Sequence, residues 1–172
     1  MKTFEDYLEV ILQHEGGLSN HSSDPGGITK YGISLRFLKS NKIDINKDGK
    51  IDANDIINLT IDEASIIYKE YFWNKMKLDY IDNELLKLHL FDMGVNAGTK
   101  TAIKLLQRIV GASQDGVLGN MTASKVTSYI RDIVEDYSTA RKDYYSYIIS
   151  KNPKLSVFRK GWFRRVNTTK FI

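Results

Sequence analysis

Glu15 and Asp24 are the two carboxylates of this chain best placed, by type and spacing, for acid–base chemistry. Glu15 stands directly before one Gly pair in HEGGLSNHSSDPGGITKYG, and Asp24 lies nine positions on, beside another. Between Glu15 and Tyr31 the chain is mostly Gly, Ser, Asn, His and Thr, with Pro25, and offers little to bury. A long polar loop of this kind inside a compact domain tends to carry function. Upstream, Phe4, Tyr7, Leu8, Ile11 and Leu12 recur at helical spacing. That spacing predicts a helix with Glu15 in its last turn and Gly16–Gly17 stopping it. A glutamate there faces the unfavourable end of the helix dipole, which disfavours its charged form and suits a group that must hold a proton to donate. Two blander readings stand beside this one. Glu15 is otherwise a solvated helix end, and Asp24 an Asp-Pro-Gly-Gly turn residue accepting backbone hydrogen bonds.

A second constellation lies at residues 44–55, DINKDGKIDAND. Asp44, Asn46 and Asp48 occupy alternate positions, Gly49 the sixth, Lys50 the seventh, Asp52 the ninth and Asp55 the twelfth. Hard oxygen ligands at one, three and five, a carbonyl at seven and a carboxylate at twelve make the Ca²⁺ loop of an EF-hand, with glycine at six for the sharp turn. Asp rather than Glu at twelve resembles the dockerin-type loop. Calcium is therefore the expected cofactor, structural or regulatory, against a solvated Asp/Lys turn. Absence of cysteine removes thiolate sites, and three dispersed histidines do not make a zinc site.

The run EGG followed by DPGGITKYGIS resembles the N-terminal motif of glycoside hydrolase family 108, the phage-type N-acetylmuramidases. Further similarities follow in order to about residue 168: Tyr71-Phe72-Trp73, Leu90-Phe91-Asp92, Val95-Asn96-Ala97-Gly98, Leu106-Gln107, Asp115-Gly116 with Gly119, and Gly161-Trp162 with Arg165-Val166. The resemblance implies a mainly α, lysozyme-like helical single domain with a small β-hairpin or irregular catalytic loop. It implies Glu15 as the catalytic acid and bacterial peptidoglycan as substrate. Glycoside hydrolysis normally uses two carboxyl groups, and Asp24 is the local candidate for the second. The Glu, eight residues, Asp spacing resembles other phage lysozymes, in which a Thr follows after five more residues; here Thr29 follows after four. Thr29 and Tyr31 are candidates to hydrogen-bond water or sugar. Asp92 and Asn96, four apart on an apolar helix, call for either a cleft or a dedicated partner. The resemblance favours a cleft, with Asn96 and Gly98 on the glycan. Tyr71 and Trp73 are expected in the core. Residues 1–75 are expected to form the catalytic region, holding the calcium loop, and 76–172 a helical peptidoglycan-binding region sharing its core. The runner-up is a non-catalytic peptidoglycan-binding or secretion-associated module; a calcium-dependent interaction module of dockerin kind is weaker.

The elements that must position these groups read as helices. Ser34 caps a short apolar turn at 35–38. Thr60 with Glu63 forms a capping box opening a helix that carries Ala64, Ile67, Tyr68, Tyr71 and Phe72 on one face. Leu85, Leu88, Phe91 and Val95 mark another. Thr99 is expected to cap a helix that Gly111 ends. A long helix with Ile133, Tyr137, Tyr144 and Ile148 stops before Pro153, and a short aromatic one follows from Phe158 to Val166. A chain of 172 residues suits one sizeable core.

No apolar run is long enough to span a membrane, and MKTFEDYLEV does not read as a signal peptide. The resemblance then implies synthesis in a host cytoplasm and holin-type release to the periplasm or cell wall. Lys151, Lys154, Arg159, Lys160, Arg164, Arg165 and Lys170 concentrate positive charge in the last 22 residues, which contain no acid. This suits contact with an anionic envelope, the bland alternative being a solvated rim. No groove-reading motif supports nucleic acid as a partner. The expected state is a monomer.

Overall fold

The computed structural model describes residues 2–15 and 28–171, and these are mainly α-helical with a small two-stranded antiparallel sheet. The mainly α, lysozyme-like class expected from the sequence is the class observed. Among the described residues no helix is long and apolar enough to cross a membrane. The chain divides into two compact units, Ile11–Lys69 and Met1–Val10 with Glu70–Ile172. Helix α1 (Phe4–Glu15) contributes to both.

The smaller unit begins with the end of α1. Strands β1 (Thr29–Lys30) and β2 (Ile33–Ser34) pair Thr29 with Ser34 and Lys30 with Ile33. The two turn residues both have positive φ, Tyr31 at 51° and Gly32 at 76°, which matches the right-handed twist of a tight hairpin. Helix α2 (Leu35–Asn41) grows directly from β2, with Ser34 as N-cap accepting from the Phe37 amide at 3.1 Å. It stops at Lys42, whose φ of 56° turns the chain left-handed. Helix α3 (Ala53–Asn58) follows the 44–52 loop under an Asp52/Asp55 capping box, and α4 (Ile61–Tyr68) opens on the expected Thr60/Glu63 box. Ile11, Ile33, Leu38, Ile56, Leu59, Ala64, Ile67 and Tyr68 are buried in this unit.

The larger unit opens where the helical path changes. Residues Lys69–Asn74 form a turn of π-helix rather than continued α-helix. The wider turn delays the inward face by one residue. Trp73 is therefore buried, whereas Tyr71 and Phe72 are only half-buried. Trp73 packs edge-on against Phe4 and Phe91 at centroid distances of 5.4 Å, and against Tyr7 at 4.8 Å. Its indole N–H donates to Asp79 at 3.1 Å. Helix α5 (Glu84–Ala97) is buried over nearly its whole surface from Leu86 to Gly94, as befits a central helix. Helices α6 (Thr99–Val110), α7 (Asn120–Thr127), α8 (Ile133–Lys151) and α9 (Arg159–Thr168) complete the unit. Thr99 is not the cap of α6. Gly98, at φ 98°, takes that place with no side-chain bond, and Thr99 is the first helical residue. Gly111 ends α6 in the left-handed region as expected.

Candidate active site

Glu15 is the last residue of α1, half-buried. The turn of the β1–β2 hairpin meets its carboxylate. A β-carbon built on Gly32 would fall 2.7 Å from Glu15 Cγ, 2.8 Å from Glu15 Oε2 and 2.5 Å from Tyr68 Oη. No real side chain tolerates such approaches. Glu15, Tyr68 and the hairpin turn thus converge on the one residue that has no side chain and adopts positive φ without cost. Tyr68 comes from the last turn of α4 and is completely buried. Its hydroxyl donates to the Tyr31 carbonyl at 2.9 Å, fastening the turn to α4.

Tyr31 precedes Gly32 in the turn, and Thr29 lies in the strand that leads into it. Tyr31 is half-buried at the turn, with the Lys30 ammonium 5.6 Å from its ring centroid. Lys30 Nζ also donates to the Ile57 carbonyl of α3 at 2.8 Å. Thr29, in β1, is half-buried opposite Ser34. Asp24 lies outside the described residues. The arrangement offers a carboxyl group held at a helix end against a fixed backbone turn, which is what directed proton donation requires.

Asp92 and Asn96 occupy the larger unit. Asp92 is completely buried, and of the two possibilities its burial raised, the structure supplies the dedicated partner. Its carboxylate pairs with Arg141 Nη2, itself fully buried, and with Arg165, whose Nε lies 2.9 Å from Oδ1 and 3.1 Å from Oδ2. The Thr169 hydroxyl donates to Oδ2 at 3.3 Å. Arg141 Nη1 also approaches His89 Nδ1 at 2.9 Å. Arginine only donates, so Nδ1 accepts and the ring proton sits on Nε2. Burial pushes the His89 pKa down to about 4; Arg141 adds to this, while Asp92 and the Thr169 backbone oppose it. Asn96 is half-buried and donates through Nδ2 to the Tyr145 hydroxyl at 2.5 Å, with the Tyr145 ring stacked 4.8 Å from Trp162. Gly98 is exposed at the α5–α6 junction.

Tyr68 and Gly32 are the site residues that sequence reasoning missed. Tyr68 reads as one more apolar position of the α4 stripe; its only signal is a hydroxyl on an otherwise greasy face, which needs a partner when buried.

Residues 8–98 match the family model described as Glycosyl hydrolase 108, and residues 101–167 match one described as Predicted Peptidoglycan domain. A solved structure of Brucella abortus SagA is similar at 30% identity and a TM-score of 0.82, over 96% of this chain and 90% of that one. No curated protein sequence matches.

Proposed function

The chain belongs to the glycosyl hydrolase 108 family, and from that premise we propose that it is an N-acetylmuramidase using Glu15 as general acid. The bond cut is the β-1,4 linkage between N-acetylmuramic acid and N-acetylglucosamine. The family match and the adjoining peptidoglycan-domain match make the chain a peptidoglycan-acting glycoside hydrolase. The observation that carries the finer reading is the convergence of the Glu15 carboxyl and the Tyr68 hydroxyl on Gly32. A proton donor must meet the leaving oxygen in one orientation, and here the turn limits where the carboxyl can go.

In this reading Glu15 protonates the glycosidic oxygen as the C–O bond breaks. A second carboxylate then stabilises or attacks the oxocarbenium-like carbon, or activates a water that does. Asp24 is our candidate for that second group, on its spacing from Glu15 in the sequence. Thr29 and Tyr31 belong to the hairpin whose turn meets the acid and are candidates to bind water or sugar. The setting we propose is an endolysin that lyses its host.

Glu15→Gln tests the assignment. The amide keeps the shape of the acid but has no acidic proton to transfer, so lysis of purified peptidoglycan should fall by about a hundredfold or more. The melting temperature should hold. Retention of more than about a tenth of the activity overturns the acid role. Mass spectrometry of wild-type digests should show reducing muramic acid ends and no newly freed peptide amines. Reducing glucosamine ends or released peptides would contradict the bond assignment.

A further inference from the structure

Helix α2, the loop that follows it and α3 form one helix–loop–helix within the smaller unit. Lys47 and Gly49, the fourth and sixth residues of the 44–55 loop, have φ values of 58° and 85°. Nothing lies within 4 Å of a β-carbon built on Gly49, so its role is backbone shape rather than close packing. The loop's amides aim its side-chain oxygens. Gly49 N–H donates to Asp44 Oδ2 at 2.8 Å, Asp48 N–H to Asn46 Oδ1 at 3.0 Å and Lys50 N–H to Asp48 Oδ1 at 2.8 Å. Asp55 is completely buried, taking the Ile45 and Asn46 amides on Oδ1 and the Asp52 amide on Oδ2.

Asp44 breaks this pattern of satisfied oxygens. Its Oδ1 is shut off from solvent and accepts no hydrogen bond. A bare carboxylate oxygen in that position has lost water and gained nothing in return. A cation is the partner that would satisfy it. The loop offers the hard side-chain oxygens of Asp44, Asn46, Asp48, Asp52 and Asp55, the chemistry that Ca²⁺ takes. Among the described residues no three acidic or histidine side chains already converge as a ligand set. A Ca²⁺ ion bound here would draw on Asn46 and the Lys50 carbonyl beside the carboxylates.

Both ends of this loop are tied to the hairpin that faces Glu15. Helix α2 starts at Ser34 of β2, and the Leu35 amide donates to the Ile28 carbonyl at 3.1 Å. Helix α3, which holds Asp55, receives Lys30 of β1 on its Ile57 carbonyl. We infer that residues 44–55 are a Ca²⁺ site that holds the Tyr31–Gly32 turn against Glu15, so that catalytic competence rises where calcium is plentiful. The catalytic half of this inference rests on the Glu15 reading; the binding half does not.

The full chain, stripped with EGTA and titrated with CaCl₂ in a calorimeter, should bind one ion, with MgCl₂ binding more weakly. Calcium should slow hydrogen exchange over residues 28–34 by about tenfold and raise lytic activity. Asp44→Ala should abolish the heat signal. Asp48→Asn, a milder change at an exposed position, should weaken binding by about tenfold even if the first variant folds poorly. Absence of binding at millimolar CaCl₂ overturns the site. Binding that leaves exchange over residues 28–34 unchanged overturns the coupling. Glu15→Gln should bind calcium and protect the hairpin like the wild type. If it does so and also lyses walls normally, the acid assignment fails while the calcium site stands.

Discussion

At the scale of single residues, Gly32 is where sequence and site are most tightly bound. Gly32→Ala forces a methyl group onto Tyr68 and Glu15 and adds a side chain at φ 76°. Gly111→Ala is the matched control, since its φ is 68° but nothing lies within 4 Å of the new carbon. The control should lose about 1 kcal/mol from backbone strain alone. Gly32→Ala should lose clearly more and should also lose lytic activity, read by thermal melts and wall turbidity together. Equal losses for the two variants would mean that the crowding around Glu15 is not real. The place of Glu15 was legible because a helix stripe and a Gly pair are local signals. The place of Tyr68 was not, because 37 residues separate it from the turn it holds and a tyrosine in an apolar stripe looks like core. His89 gives a pH prediction. Its folded pKa, pushed to about 4, lies below the ordinary value of 6.5. The unfolded chain therefore takes up the proton first as the solution is acidified. Stability is fully present above pH 6.5 and is lost as pH falls toward 4, by about 3 kcal/mol from this group. Denaturant titrations at pH 7, 5 and 4 should show that slope, and His89→Gln should flatten it.

At the scale of elements, the caps were the most readable features. Ser34, the Thr60/Glu63 box and Gly111 act through bonds a few residues long, so their spacing alone announces them. The π turn at Lys69–Asn74 was not readable. Its extra residue is accommodated by packing around Trp73, and the apolar stripe before it predicts uninterrupted α-helix. Such a turn houses one residue more than an α-helix needs. Deleting exposed Glu70 should therefore let the segment close into α-helix while Trp73 stays among Phe4, Tyr7 and Phe91. Tryptophan emission should keep its buried maximum, and stability should change by less than about 1.5 kcal/mol. A red shift toward solvent-exposed emission would show that the turn sets the register of everything after it.

At the scale of the whole molecule, each compact unit depends on residues in a different way. Within the larger one, Asp92 of α5 gathers Arg141 of α8, Arg165 of α9 and Thr169 around a buried charge. Two guanidiniums share that carboxylate, and Arg141 meets it with both side chains fully buried, so its removal takes the countercharge from a buried cation. Asp92→Ala should cost about 3–5 kcal/mol, measured as a lowered denaturation midpoint. The sequence signalled only that Asp92 needed a cleft or a partner, and the resemblance favoured the cleft; the partners lie 49 and 73 positions further on. Contiguity has a further consequence for biosynthesis. Ile11–Lys69 is one uninterrupted stretch, whereas the other unit joins Met1–Val10 to Glu70–Ile172. On a translating ribosome the first can close as soon as Lys69 is clear of the exit tunnel. The second must wait until Arg165 and Thr169 emerge to complete the cluster around Asp92. Its early-made residues, Phe4 and Tyr7 among them, meanwhile lack the aromatic partners they meet in the finished fold. A nascent chain is thus assembled in the order of its middle and then its flanks, and stalled or incomplete products display Phe4 and Tyr7 of α1.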